Sequence, residues 1–105
     1  MQEISNDRFD EKVMHSDSSV LLVFGAEWCG HCRALLPVIE QLSRERSDVA
    51  FFHVDIESQP ALAERFSVMS IPSLFLIQNG NIISRVTGAQ PKHVIEAMID
   101  RIAAT

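Results

Sequence analysis

Cysteine is scarce in this sequence: only Cys29 and Cys32 occur, three positions apart. A small domain held together by disulfides needs several cysteines at wider spacing, because its bridges must join distant loops. The scarcity therefore excludes a disulfide framework. Two neighbouring thiols are placed instead to react with each other and with a substrate.

Clustered positive charge is also missing. Nine lysines and arginines stand against fourteen acidic residues, which gives a formal net charge of -5. A surface that follows a phosphate backbone needs a block of basic residues, and this sequence has none. We therefore expect no nucleic-acid partner.

Long apolar runs are missing too. The longest, 20–25 and 74–77, fall far short of the roughly 20 residues that cross a bilayer. The first eight residues include acids where a secretory signal begins with positive charge. We therefore expect no membrane insertion, and a cytoplasmic location unless a leader peptide precedes this sequence.

Repeats, low-complexity tracts and Pro/Gly/Ser-rich linkers are absent as well. The chain has 105 residues, of which 47% are hydrophobic. This is enough for one hydrophobic core and too little for two. We predict a single domain over 1–105, acting as a monomer.

Helical and strand patterns alternate along the chain. Continuous apolar runs predict buried strands, and apolar residues at helical spacing predict helices with one buried face. The predicted strands are 20–24, 49–55, 73–78 and 82–87; the predicted helices are 6–14, 29–46, 60–66 and 91–102, the last with Ile95, Met98, Ile99 and Ile102 on its apolar face. The dipeptide Asn79-Gly80 predicts a tight hairpin between the last two strands. This order predicts an α/β fold with a mixed sheet of four to five strands and about four helices.

Cys29 and Cys32 fall at the start of the second predicted helix. Residues three apart on the first turn share a face, so the two sulfurs can form and break a bond. Free N–H groups and the positive end of the helix dipole favour a thiolate at Cys29, which makes this residue the nucleophile. Cys32 lies one turn further in, where we expect it to be less exposed and to resolve a mixed disulfide.

His31 lies between the two cysteines and has a ring that titrates near neutral pH. We expect it to stabilise the thiolate and so to make the disulfide a stronger oxidant. Two other interpretations remain open: an inert disulfide, and a metal site formed by Cys29, His31 and Cys32. A closed zinc site needs a fourth ligand, and no other histidine has a companion at ligand spacing, so we expect no metal.

Three short motifs point to one family. They are the run Ala26-Glu27-Trp28-Cys29-Gly30-His31-Cys32-Arg33, the proline Pro37 inside the second predicted helix, and the pair Ile71-Pro72. From about Val20 to Met98 the sequence resembles the thioredoxin family, with the Cys-Gly-His-Cys loop typical of protein disulfide isomerase domains. The resemblance implies a thioredoxin fold, a cis peptide bond before Pro72, and dithiol–disulfide exchange that needs no cofactor beyond the Cys29–Cys32 disulfide.

The resemblance also implies where substrates bind. The implied residues lie around the cysteine pair and would offer an apolar surface and backbone groups to a protein disulfide: Trp28, Gly30, Ile71, Pro72 and Gly88. Each also has a purely structural interpretation, as core or as a turn residue. The implied partners are protein disulfides and an electron donor similar to thioredoxin reductase.

The sequence departs from the family at a buried charged pair. The resemblance implies a buried acid at the position of Val23, where it would help to move the proton of the resolving cysteine, and we expect Phe51 to stand in place of the lysine that often pairs with this acid. Gly25 stands where many thioredoxins have a second tryptophan. Without the acid, we expect Cys32 to give its proton to water, to the departing thiolate or to His31, and to resolve slowly.

Three functions remain in competition at this point. The first is a reductase of protein disulfides in a reducing compartment. The second is an oxidase or isomerase that uses the same chemistry in the opposite direction. The third is a binding module without catalysis, an interpretation that rests on the missing acid at Val23.

Overall fold

Five strands form one mixed sheet within residues 2–103, which are the residues that the computed structural model describes; side chains are described as far as Arg101. The strands are β1 (Gln2–Glu3), β2 (Ser19–Gly25), β3 (Val49–Asp55), β4 (Ser73–Gln78) and β5 (Asn81–Thr87). Their order in the sheet is β1-β3-β2-β4-β5. The first three strands in this order run parallel, whereas β4 is antiparallel to β2 and β5 to β4.

Four helical segments connect and cover the strands. They are α1 (Asn6–Phe9), which continues as a π-helical stretch over Asp10–Met14, then α2 (Gly30–Glu45), α3 (Pro60–Arg65) and α4 (Lys92–Ala103). Parallel neighbours such as β2 and β3 require a crossover, and α2 supplies it. None of the helices in the described part of the chain has the length and apolar character to cross a membrane.

The central strand β2 is buried along its whole length, from Ser19 to Gly25. Its side chains alternate between the two faces of the sheet, as in any strand. Val20, Leu22 and Phe24 pack with residues of α1 and its π-helical stretch on one face. Leu21 and Val23 pack with residues of α2 and α4 on the other face. The sheet therefore lies between two layers of helix, and α2 crosses the face to which Val23 belongs.

The hairpin between β4 and β5 has the predicted turn. Asn79 and Gly80 both have positive φ, at 52° and 78°, which suits the right-handed twist of the flanking strands. A Cβ on Gly80 would lie 2.9 Å from the carbonyl oxygen of Met14. Glycine is thus required at this turn for its backbone conformation and for close packing on the end of the π-helical stretch.

The predicted α/β thioredoxin fold is confirmed, with small differences in the elements. The short edge strand β1 was not predicted, because a two-residue strand has no periodic signal. Helix α4 begins at Lys92 rather than Pro91, and Ile95, Met98 and Ile99 are buried as predicted. The predicted role of Ile102 concerns a side chain outside the described residues.

Candidate active site

The two cysteines lie at the junction between β2 and α2. Cys29 is the N-cap of α2, and its Sγ accepts a hydrogen bond from the backbone N–H of Cys32 over 3.2 Å. The first N–H groups of a helix have no partner within the helix, and a side-chain acceptor at the N-cap satisfies one of them. The sulfur of Cys29 is therefore in the position that a capping oxygen usually occupies.

This position lowers the pKa of the Cys29 thiol. The main cause is the side-chain hydrogen bond between Cys29 and Cys32, and the backbone N–H groups of Cys32 and His31 and the charge of Arg33 act in the same direction. Burial acts in the opposite direction, since Cys29 is 7% exposed. Because a thiolate is the form that attacks a disulfide, the lowered pKa favours Cys29 as the reactive sulfur.

Cys32 differs from Cys29 in both ionisation and exposure. Burial, followed by the effect of Cys29, raises the pKa of the Cys32 thiol to about 11. The expectation that Cys32 is the less exposed of the two is wrong: Cys29 is buried and Cys32 is partly exposed. Cys32 lines an open cavity, which accounts for its partial exposure.

The cavity has a volume of about 390 Å³. It is lined by Ala26, Glu27, Cys32, Arg33, Leu36 and His53. Glu27 and Arg33 are exposed at its rim, and an N–H of the Arg33 guanidinium donates to the carbonyl oxygen of Glu27 over 2.7 Å. Cys32 therefore lines a cavity whose rim is open to solvent.

The loop before β4 closes the other side of the cysteine pair. The Ile71–Pro72 peptide bond is cis, as the resemblance implied. The Cys29 thiol donates to the carbonyl oxygen of Ile71 over 3.9 Å, a long contact that places this backbone next to the reactive sulfur. Gly88 joins the same loop, because its N–H donates to the carbonyl oxygen of Pro72 over 2.8 Å.

Trp28 stands beside the pair and is 63% exposed, so it is not a core residue. Its indole N–H donates to the carboxylate of Glu57 over 2.7 Å, which holds the ring at the surface after β3. Gly30 is also exposed, whereas Ile71 is half-buried and Pro72 is buried. The predicted substrate-binding residues therefore surround Cys29.

His31 is exposed on the first turn of α2. Its backbone N–H contributes to the low pKa of Cys29, and no hydrogen bond joins its ring to either cysteine among the residues described. The expected contact between the His31 ring and the thiolate is therefore not seen. The peptide group at position 31, rather than its imidazole, acts on the sulfur.

The neighbour of Val23 on β3 is His53, not Phe51. The parallel register pairs Val23 with His53 and Leu21 with Phe51. The assignment of Phe51 to the lysine position beside Val23 is therefore wrong by two residues: Phe51 lies on the same face of the sheet but next to Leu21, and the sequence alone does not fix the register of two strands joined through a helix. An ionisable side chain therefore remains beside the position of the missing acid.

Sequence reasoning missed three residues of this site: Arg33, His53 and Glu57. Arg33 could have been found from its place on the first turn of α2, near enough to Cys29 to favour a thiolate. His53 and Glu57 come from β3 and the loop after it. No local pattern in the sequence connects them to the cysteines.

A capping thiol of lowered pKa, with a second thiol three residues further on, defines a thiol–disulfide oxidoreductase. The family model Thioredoxin matches residues 1–101. This chain belongs to the thioredoxin family.

Named relatives agree with that membership. The chain is 35% identical over 92 residues to the thioredoxin of Streptomyces clavuligerus, covering 88% of this chain and 86% of that protein. It is 38% identical over 101 residues to the thioredoxin of Chlamydia trachomatis, covering 96% and 97%. A third relative, the bifunctional thioredoxin reductase/thioredoxin of Mycobacterium leprae, is 35% identical over 91 residues, which are 86% of this chain and 20% of that protein.

Proposed function

We propose that this protein reduces disulfide bonds in other proteins, with Cys29 as the nucleophile and Cys32 as the resolving thiol. The observation that supports these roles is the opposite ionisation of the two thiols: the pKa of Cys29 is lowered, whereas that of Cys32 is raised to about 11. Near neutral pH the first sulfur is the better nucleophile. Cys32 stays protonated until the second exchange.

The reaction proceeds in two exchanges. The Cys29 thiolate attacks one sulfur of the substrate disulfide, and the other substrate sulfur leaves as a thiolate that takes up a proton. Cys32 then loses its proton and attacks Cys29, so that the Cys29–Cys32 bond forms and the second substrate sulfur leaves. The substrate gains two electrons and two protons, and the protein becomes a disulfide. No cofactor beyond this disulfide takes part.

The surface formed by Trp28, Gly30, Ile71, Pro72 and Gly88 is proposed to bind the substrate. Trp28 offers an exposed aromatic ring, and the carbonyl oxygen of Ile71 lies next to the reactive sulfur. An extended segment around a disulfide could lie between them and bring its sulfur to Cys29. Such a surface recognises backbone and apolar groups rather than one sequence.

The disulfide form must be reduced again, and we propose an electron donor similar to thioredoxin reductase. Support comes from the Mycobacterium leprae relative, whose name joins a thioredoxin reductase and a thioredoxin in one protein. We further propose that the protein works in the cytoplasm, because a reductase needs a compartment that keeps thiols reduced. We also propose that it acts as a monomer.

The reduction potential tests the direction of exchange. Thioredoxin lies at about −270 mV and protein disulfide isomerase at about −180 mV, a difference that decides whether a protein reduces or oxidises its substrates. Trp28 is the only tryptophan and lies beside the cysteines, so its fluorescence can follow a titration against glutathione buffers. We expect a value near the thioredoxin end. A value near −180 mV would favour the oxidase or isomerase function instead.

The roles of the two thiols are tested by single substitutions. Cys29→Ser should abolish reduction of a protein disulfide, and Cys32→Ser should trap the substrate on Cys29 as a stable mixed disulfide that mass spectrometry detects. Trapping on Cys32 in the Cys29→Ser variant would reverse the assignment.

A further inference from the structure

The group that takes the proton from Cys32 is the least explained part of this site. The family resemblance implies a buried acid on β2, but Val23 occupies that position and is 4% exposed among apolar neighbours. Burial is the main cause of the raised pKa of the Cys32 thiol, and it does not depend on the ionisation of Cys29, so Cys32 is mostly a thiol at pH 7 when the second exchange begins. An efficient second exchange therefore needs a base near Cys32.

His53 is placed to be that base. A Cβ built on Gly25 would lie 3.2 Å from Sγ of Cys32 and 3.4 Å from Nε2 of His53. Both atoms therefore lie next to Gly25. The distance between Sγ of Cys32 and Nε2 of His53 cannot exceed the sum of these two distances, about 6.6 Å. Both residues also line the cavity of about 390 Å³.

Gly25 lies close to both groups. The contacts of a Cβ there would be tight, so a larger residue would have to displace Cys32 or His53. The structure gives no direct hydrogen bond between the Cys32 and His53 side chains, both of which it describes. Both residues line one cavity, so water in it can connect the two atoms, and proton transfer through a water is within the reach of a general base.

From this geometry we propose that His53 is the general base of the second exchange, replacing the acid that the family resemblance implies on β2. The proposal rests on the proposed roles of Cys29 and Cys32. Nε2 of neutral His53 accepts the proton of Cys32 through a water molecule in the cavity. The Cys32 sulfur attacks Cys29, the Cys29–substrate bond breaks, and the imidazolium returns its proton to the leaving thiolate through the same cavity.

The charges around His53 are consistent with this role. Burial lowers the pKa of His53 from its ordinary value of 6.5, while Glu3 on β1 and Asp55 on β3 act in the opposite direction with smaller effect. The residues facing it from β2, Val23 and Gly25, carry no charge. Because the lowered pKa keeps the ring neutral at pH 7, His53 is ready to accept a proton there.

Other ionisable groups around the cavity are less suited to this role. Besides Cys32, the cavity is lined by Glu27 and Arg33. Arg33 stays protonated at all working pH values and accepts no proton. Glu27 is exposed to solvent. Its carboxylate is therefore a weaker candidate, and the test below includes it.

A pH profile of the second exchange distinguishes the proposal from unassisted ionisation. When a base accepts the proton, the rate follows the neutral fraction of His53 and is flat between the pKa values of His53 and Cys32. When Cys32 ionises without help, the rate follows its thiolate fraction and rises tenfold for each pH unit. We expect the flat profile for the native protein and the tenfold slope for His53→Gln.

Rapid acid quenching and mass spectrometry supply the measurement, with oxidised glutathione as the disulfide. The decay of the glutathione adduct on Cys29 gives the rate of the second exchange. We expect His53→Gln to slow this decay at pH 7 by about tenfold to a hundredfold, within the range for loss of a general base. His15→Gln, an exposed histidine at the opposite end of β2, is the matched control and should keep the native decay.

The first exchange is measured separately in the Cys32→Ser variant, where the adduct forms and stays. His53→Gln should change the rate of its formation less than twofold. If no adduct forms on Cys29, the proposed function fails. If the adduct forms but decays in the His53→Gln variant at the native rate, only the role of His53 fails.

Two further results would overturn the role of His53. One is loss of the flat profile in Glu27→Gln but not in His53→Gln, which would assign the base to Glu27. The other is a rate of the second exchange that rises tenfold per pH unit from pH 7 to pH 9 in the native protein. This measurement needs no variant, so it remains decisive if His53→Gln does not fold.

Discussion

Gly25 lies against Cys32 so closely that a Cβ on the glycine would stand 3.2 Å from Sγ and 3.3 Å from Cβ of the cysteine. The same Cβ would stand 3.4 Å from Nε2 of His53. Gly25 therefore lies next to both the Cys32 sulfur and the His53 imidazole. Cys32 and His53 also line the same cavity of about 390 Å³.

Gly25→Ala should consequently disturb both stability and the second exchange. The added methyl must displace Cys32 or His53 by a few tenths of an ångström, so we expect a loss of about 1–2 kcal/mol in the free energy of unfolding and slower decay of the Cys29 adduct. Urea denaturation and acid quenching measure the two effects. Gly30→Ala is the control for stability, because its Cβ would meet only the Arg33 guanidinium, at an ordinary contact distance of 4.0 Å, and alanine is favoured over glycine in a helix by up to about 1 kcal/mol. Unchanged stability and adduct decay in Gly25→Ala would show that the packing around Cys32 is loose.

Substitutions at position 31 should separate the backbone from the imidazole ring. His31→Pro removes the N–H that helps to lower the pKa of Cys29, so the thiolate and with it the reduced protein should become less stable. We expect a reduction potential lower by about 10 to 30 mV. His31→Ala keeps the N–H and should stay closer to the native potential than His31→Pro does. An equal shift in both variants would assign the effect to the ring.

An acid at position 23 should replace the function of His53. Val23 and His53 are register partners, so their side chains lie on the same face of the sheet, next to α2. In the His53→Gln background, Val23→Asp should restore faster decay of the Cys29 adduct, whereas Val23→Asn should not, because an amide accepts no proton. Burying either polar residue should lower the free energy of unfolding by about 2 kcal/mol or more. Equal decay in the two double variants would contradict the idea that proton transfer limits this step.

The stability of the reduced protein should fall as the pH drops from 7 to 5, in part because of His53. Its pKa is lowered in the folded state, so the unfolded chain binds a proton first, and the folded state loses stability as the pH falls through 6.5 towards the folded pKa. Carboxyl groups with lowered pKa values, such as Asp48 and Glu45, lose their contribution only below about pH 4.5. Urea denaturation at pH 7.5 and 5.5 should show a smaller difference for His53→Gln than for the native protein. The same difference in both would mean that burial of His53 has no effect on its ionisation.

Some features of the site were predictable because they depend on neighbours in the chain. The spacing of Cys29 and Cys32 places both sulfurs on one turn of a helix, and the helix N-terminus lowers the pKa of the first. The turn at Asn79-Gly80 likewise follows from the conformations that these two residues adopt readily. Short-range geometry of this kind is determined by the sequence itself.

The surroundings of Cys32 were decided by the tertiary structure alone. Whether His53 or Phe51 lies beside Val23 depends on the register of two parallel strands joined through a helix, and this register is set by packing of the whole sheet rather than by a turn. The greater exposure of Cys32 likewise depends on the cavity that Cys32 shares with His53, a residue of a strand distant in the sequence. The sequence by itself therefore determined which two thiols react, and the packed sheet decided that a histidine stands where it can take the proton of the second one.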